Sequence, residues 1–141
     1  MEKENSRTIA VINGYSSILR VQSRAIELLG HNPIVCGNQK DAEELVDRVL
    51  KGKLHVDLLF IEDHQYVKGP IARNEGLYEI DNVALIRKIR KENFEKPLIS
   101  FRPSLNSAYK EDFCREWNLD YHNPLGFGME EFERYLVEKF G

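Results

Sequence analysis

The sequence predicts a three-layer α/β sandwich: a five-stranded parallel sheet with helices on both faces. Three observations carry this. Apolar runs of strand length alternate with amphipathic stretches of helix length five times in 141 residues, and that alternation builds βαβ crossovers. The run Val56–Ile61 is apolar except for Asp57, as suits a strand covered on both faces. All connections but one are short, as crossovers in such a fold are.

Taken in order, Thr8–Ile12 is the first strand, and Asn13-Gly14 breaks it. Ser16–Leu29 places Ile18, Leu19, Ala25, Ile26, Leu28 and Leu29 at mostly helical spacing, and Gly30 stands where a helix C-terminus favours it. Pro33–Cys36 is a second strand. Asp41–Lys51 is a helix with Leu45, Val46, Val49 and Leu50 on one side, stopped by Gly52. Val56–Ile61 is the third strand. Asp81–Lys91 is a helix with Val83, Leu85, Ile86 and Ile89 facing inward, and Pro97 opens the fourth strand, Leu98–Phe101. Ser107–Trp117 is the fourth helix, Leu119–His122 the fifth strand. Met129–Phe140 is the last helix, with Met129, Phe132, Leu136 and Phe140 in register. The expected strand order is 2-1-3-4-5, the flavodoxin-like doubly wound arrangement. The exceptional connection is the 18 residues from Asp63 to Ile80, longer than ordinary loops and read as either a surface insertion or a binding element.

Composition narrows the functional classes. Lys and Arg number 20 against 23 Asp and Glu, a net charge of -3, so no basic surplus points to nucleic acid or anionic lipid. The local cluster Arg87-Lys88-Ile89-Arg90-Lys91 is read as a solvated face that offsets its helix dipole. Cys36 and Cys114 are too few and too distant for a disulfide framework or a zinc knuckle and are read as small core hydrophobes. The charged N-terminus lacks an apolar signal core, and no apolar run approaches the roughly 18 residues of a membrane span. The expectation is one cytoplasmic domain over 1–141, with residues 1–7 a disordered tail. His31, His55, His64 and His122 are scattered with no helical pairing, so no metal or other cofactor is expected. Asn13-Gly14-Tyr15-Ser16-Ser17 lacks the glycine-rich phosphate patterns; Ser16 or Ser17 there is read as a helix N-cap.

In such a sheet ligands bind at the C-terminal strand ends. The sequence places Asn13 and Gly14, Glu62 and Asp63, Arg102, and Asn123 with Pro124 there. The order of these segments resembles the receiver domain of bacterial response regulators over nearly the whole chain. Thr8–Gly14 resembles the first strand ending in an acidic pair. Val56–Glu62 resembles the Asp-led third strand ending at the phosphoacceptor. Lys96–Arg102 resembles the fourth strand ending in Thr or Ser. Leu119–Pro124 resembles the fifth strand ending in Lys-Pro.

The departures are informative. The resemblance implies a Mg²⁺-binding acidic pair at Asn13 and Gly14, an Asp at Glu62, a hydroxyl at Arg102, a Lys at Asn123 and an aromatic switch at Asp120, where Tyr121 is one place off. Phosphoryl transfer to a carboxylate depends on positioning and charge neutralisation, and an extra methylene at Glu62 displaces its carboxylate by about a bond length, enough to cost on the order of 10²-fold. Asp63 points to the opposite strand face. The site is therefore read as a remnant phosphorylation pocket with no catalytic residue, in which Glu62 pairs with Arg102 and locks one conformation.

The expectation is a stand-alone pseudo-receiver, not an enzyme, whose output is a protein partner bound in trans without phosphorylation. Two other readings stand beside it: a degenerate receiver still phosphorylated on Asp63 or Glu62, and a small-ligand or enzymatic domain using 63–80 as a lid. Eight of the 14 aromatics fall after position 108. That region resembles the face, made of the fourth helix, fifth strand and last helix, that receivers use for partners and homodimers; Tyr109, Phe127 and Tyr135 are its candidate contacts.

Overall fold

A computed structural model describes residues 6–63 and 79–141. The elements are β1 (Thr8–Asn13), α1 (Ser16–Leu28), β2 (Asn32–Cys36), α2 (Gln39–Leu50), β3 (Leu58–Glu62), α3 (Asn82–Glu92), β4 (Leu98–Arg102), α4 (Glu111–Trp117), β5 (Asp120–Tyr121) and α5 (Met129–Phe140). The strands form one sheet in the order β2-β1-β3-β4-β5, all parallel. This is the predicted flavodoxin-like arrangement.

Strand alternation sorts the core into two layers. Ala10, Ile12, Leu59 and Ile61 pack with α2, α3 and α4 on one face; Ile9, Val11, Leu58 and Phe60 pack with α1 and α5 on the other. β3 is buried at every position, which explains why its sequence is apolar without alternation.

Several boundaries differ from the sequence expectation, each for a local reason. Asp57 lies outside β3 because its side chain is used at the entry to the sheet: Oδ2 accepts the Thr8 N–H at 2.9 Å, and its own N–H donates to the Thr8 carbonyl. α2 starts two residues earlier than expected, since Asn38 caps it by accepting the Asp41 N–H at 2.8 Å. α4 starts at Glu111 rather than Ser107; Ser107 instead accepts the Tyr109 N–H in a local turn. In α1 the capping position is Tyr15, so neither Ser16 nor Ser17 is the N-cap. Arg7, expected in the tail, is tied to the loop before β2: its N–H donates to His31 Nδ1 at 3.0 Å and its carbonyl accepts the Asn32 N–H. Residues 1–5, and the part of the long connection spanning 64–78 together with His64, lie outside the described residues, as does most of the lid of the alternative ligand-binding reading.

The basic cluster is not a uniformly solvated face. Arg90 is buried and donates to the carbonyls of Trp117, Asn118 and Asn93. It thereby satisfies the C-terminal end of α4. The Arg87 guanidinium lies 5.8–5.9 Å from the ring centres of Tyr109, Phe113 and Trp117.

Candidate functional site

The sheet register puts Asn13, Glu62 and Arg102 side by side at the C-terminal ends of β1, β3 and β4. Glu62 is only 8% exposed. Its Oε2 accepts a hydrogen bond from Asn13 Nδ2 at 2.9 Å, its Oε1 accepts one from Gln22 Nε2 at 3.0 Å, and Arg102 Nη1 lies 3.8 Å from Oε2. The expected Glu62–Arg102 pair is thus formed. Burial pushes the Glu62 carboxyl above its ordinary range; the Arg102 charge and the two amide donors pull the other way without cancelling that rise.

Local structure dictates this clasp. Asn13 Oδ1 accepts the Tyr15 N–H at 2.8 Å across the turn that ends β1. With its oxygen used there, the amide presents its NH₂ to Glu62. Arg102 spans two strands, because Nη2 also donates to the Pro124 carbonyl at 2.9 Å. It therefore ties the loop after β5 to the end of β3.

Asp63 follows strand alternation. Its N–H continues the ladder to the Arg102 carbonyl at 3.0 Å, so no bulge rotates it. Its side chain, 1% exposed, accepts from Asn82 Nδ2 at 3.2 Å on the α3 side of the sheet. Glu62, by contrast, meets Gln22 on the α1 side. Asn123 is not gathered into the cluster: it is exposed, its side chain accepts the Leu125 N–H and its carbonyl the Gly126 N–H. Pro124 contributes its carbonyl, and Gly14 is buried without a side chain to offer.

These residues do not fit Mg²⁺, which wants hard oxygen donors including carboxylates. At the β1 end the single amide oxygen is taken by the Tyr15 N–H, and the NH₂ group of Asn13 faces the Glu62 carboxylate. Arg102 stands beside that carboxylate. Among the described residues no group of three or more His, Cys, Asp and Glu could hold a metal ion.

Two side chains that bond the candidate site were absent from the sequence reading. Gln22 interrupts the buried face of α1, between Leu19 and Ala25, and is 1% exposed; a polar residue at a core position of an amphipathic helix was the available signal. Asn82 opens α3 and is 2% exposed. His122, one of the four scattered histidines, is buried among Phe127, Tyr135 and Phe60 at ring distances of 4.2, 4.6 and 5.5 Å. Burial drives its pKa down to about 4, with Lys139 and Arg102 adding to the fall and Asp120 opposing it.

The three candidate contact aromatics are half-buried, each packed on a core layer. Tyr135 donates to Asp120 Oδ2 at 2.6 Å and is hydrogen-bonded to Ser100. The apolar side chains most exposed in this quadrant are Leu105, Leu125 and Val137. Cys36 and Cys114 are free and buried, with burial pushing both thiols up to about 12, consistent with inert core residues.

No protein-family model and no curated protein matches the sequence. Solved structures do. The receiver domain of the Francisella response regulator 1452 superposes with a TM-score of 0.67 at 14% identity, covering 96% of this chain and 97% of that one. A CheY-like receiver domain of Methanospirillum hungatei JF-1 gives 0.69 at 12% identity over 96% and 94%. HP1043, an orphan response regulator of H. pylori, gives 0.69 at 14% identity over 99% and 100%. Over nearly its whole length, this chain has the fold of a CheY-like response-regulator receiver domain.

Proposed function

We propose that this protein is a signalling module of the receiver type whose output is protein binding and which carries no phosphoryl switch. One observation supports this above the others. The side chain at the phosphoacceptor register, Glu62, is buried and already held by Asn13, Gln22 and Arg102. Its oxygens are committed to protein donors, and a permanent cation replaces the hydroxyl that would sense a phosphoryl group. The competing acceptor, Asp63, faces α3 and Asn82, away from Asn13 and the Arg102 side chain.

The partner surface is argued from charge. Residues 111–140, which span α4, β5 and α5, hold eight carboxylates against three basic side chains. All three basic groups are engaged within that segment: Arg115 with Glu111 and Asp112, Arg134 with Glu130, Lys139 with Asp120. Exposed Glu116, Glu133 and Glu138 make no ion pair among the described residues, and Leu125 and Val137 stand exposed in the same segment. An isologous pair of such faces would set carboxylate against carboxylate. A basic partner with apolar anchors fits better than a second copy.

The test is incubation with Mg²⁺ and acetyl phosphate, read by intact mass. The expected outcome is no phosphoryl adduct. An adduct lost in Asp63→Asn or in Glu62→Gln would establish a degenerate but working receiver instead.

A further inference from the structure

The sheet has two edges, and they are guarded differently. β5 is two residues long and begins with Asp120, which is paired to Lys139. β2 is five residues long, and the stretch from Leu29 to Gln39 around it contains no Asp, Glu, Lys or Arg. Long uncharged edges are the ones that recruit another strand.

The ladder shows which β2 groups face outward. Asn32 donates its N–H to the Arg7 carbonyl, and the β1–β2 register then runs unbroken from Thr8↔Asn32 to Ile12↔Cys36. Backbone groups of successive residues in a parallel strand point alternately to either side. Asn32, Ile34 and Cys36 therefore bond β1, while Pro33 and Val35 turn their backbone groups away from it. The Val35 side chain is 46% exposed. It lies on the sheet face covered by α1, since Ile34 and Cys36 belong to the opposite layer. α1 itself exposes Val21 at 51% and Leu28 at 68%.

We propose that β2 pairs with β2 of a second copy of this chain, antiparallel about a two-fold axis through Val35, extending the sheet across the dimer. In this register each Val35 N–H donates to the partner copy's Val35 carbonyl. Gly37, the next residue of the same parity, sets its N–H opposite the other Pro33 carbonyl. Pro33 lends its carbonyl but has no N–H, and its ring stands against the partner's Gly37 carbonyl, so the ladder opens toward both ends and each Pro33–Gly37 pair carries one bond rather than two. A neutral edge meets itself without like-charge opposition, unlike the acidic α4–β5–α5 face. The two Val35 side chains become direct cross-strand neighbours on the sheet face that α1 covers. The interface is small, so the dimer forms with rising protein concentration. This inference is independent of the proposed function.

The experiment is sedimentation velocity over a concentration series, with amide hydrogen exchange on the same samples. The expected result is a shift from monomer to dimer with concentration, accompanied by slowed exchange at Val35 and Gly37. Ile34 and Cys36, already bonded to β1, exchange slowly throughout. Val35→Pro removes an outward N–H that no described residue accepts, and Val35→Lys sets two cations face to face; both are expected to lose the dimer while keeping the monomer's circular dichroism. Were either variant to misfold, the alternating exchange pattern in the unmodified protein still decides the matter. A monomer at every concentration overturns the proposal, as does a dimer whose Val35 amide exchanges fast.

Discussion

His122 and Glu62 are both buried at the C-terminal end of the sheet, and burial moves their titrations in opposite senses. For His122 the unfolded value is 6.5 and the native value about 4. The unfolded chain takes up the proton first, so this contribution is full above pH 6.5 and is lost as pH falls toward 4. The loss amounts to about 3 kcal/mol. His122→Phe is expected to remove most of that slope, measured as urea-unfolding free energy from pH 7 to pH 4.5. Glu62 works the other way. Its native state holds the proton more readily than the unfolded chain, so its ionisation costs stability as pH rises. Glu62→Gln sets an amide NH₂ among the donors of Asn13, Gln22 and Arg102 at a cost that does not vary with pH, and removes the pH-dependent one, so the difference in thermal midpoint between variant and parent is expected to move in the variant's favour as pH rises from 4 to 7. A difference that stays constant over that range would show that the Arg102 attraction cancels desolvation.

Among the elements, α4 depends on a residue outside itself. It is only seven residues long, and its C-terminal carbonyls are satisfied by Arg90 from α3. Short helices gain their stability from tertiary contacts rather than propensity. Arg90→Met keeps the buried stem and removes the donors, and is expected to cost about 2 kcal/mol in denaturant unfolding. The cap of α2 is a local counterpart: Asn38→Ala is expected to cost about 1 kcal/mol. The two differ in how they show in sequence. Asn38 three residues before Asp41 is a capping pattern readable from the chain, whereas Arg90 lies in a run of basic residues and nothing local separates it from Lys91. The boundary at Asp57 has the same character, since its carboxylate caps the sheet through Thr8, 49 residues away.

For the whole molecule, the acidic surplus of residues 111–140 and the exposed Leu125 and Val137 predict how the proposed basic partner would approach. An amphipathic Leu/Lys peptide is expected to perturb amide resonances across α4, β5 and α5, to bind more weakly as salt rises, and to lose affinity in the double variant Glu133→Lys, Glu138→Lys. Perturbation centred on α1 or α2 would place the partner surface elsewhere. Arg102 connects this surface to the clasp, because one guanidinium meets both Glu62 and the Pro124 carbonyl at the start of the loop that carries Leu125.

Strand order, the two-layer core and the alignment of Asn13, Glu62 and Arg102 were all legible in the chain. They follow from apolar periodicity and from a parallel sheet that brings successive strand ends to one edge. The same alternation assigned Asp63 to the opposite face. What only the tertiary structure decided were the contacts between groups far apart in sequence: Gln22 reaching Glu62 from α1, Arg90 closing α4, His122 enclosed by aromatic rings, and the outward parity of Val35. Periodicity states which side of an element is buried. It does not state which buried polar atom meets which, because that depends on how helices sit on the sheet to within a hydrogen-bond length.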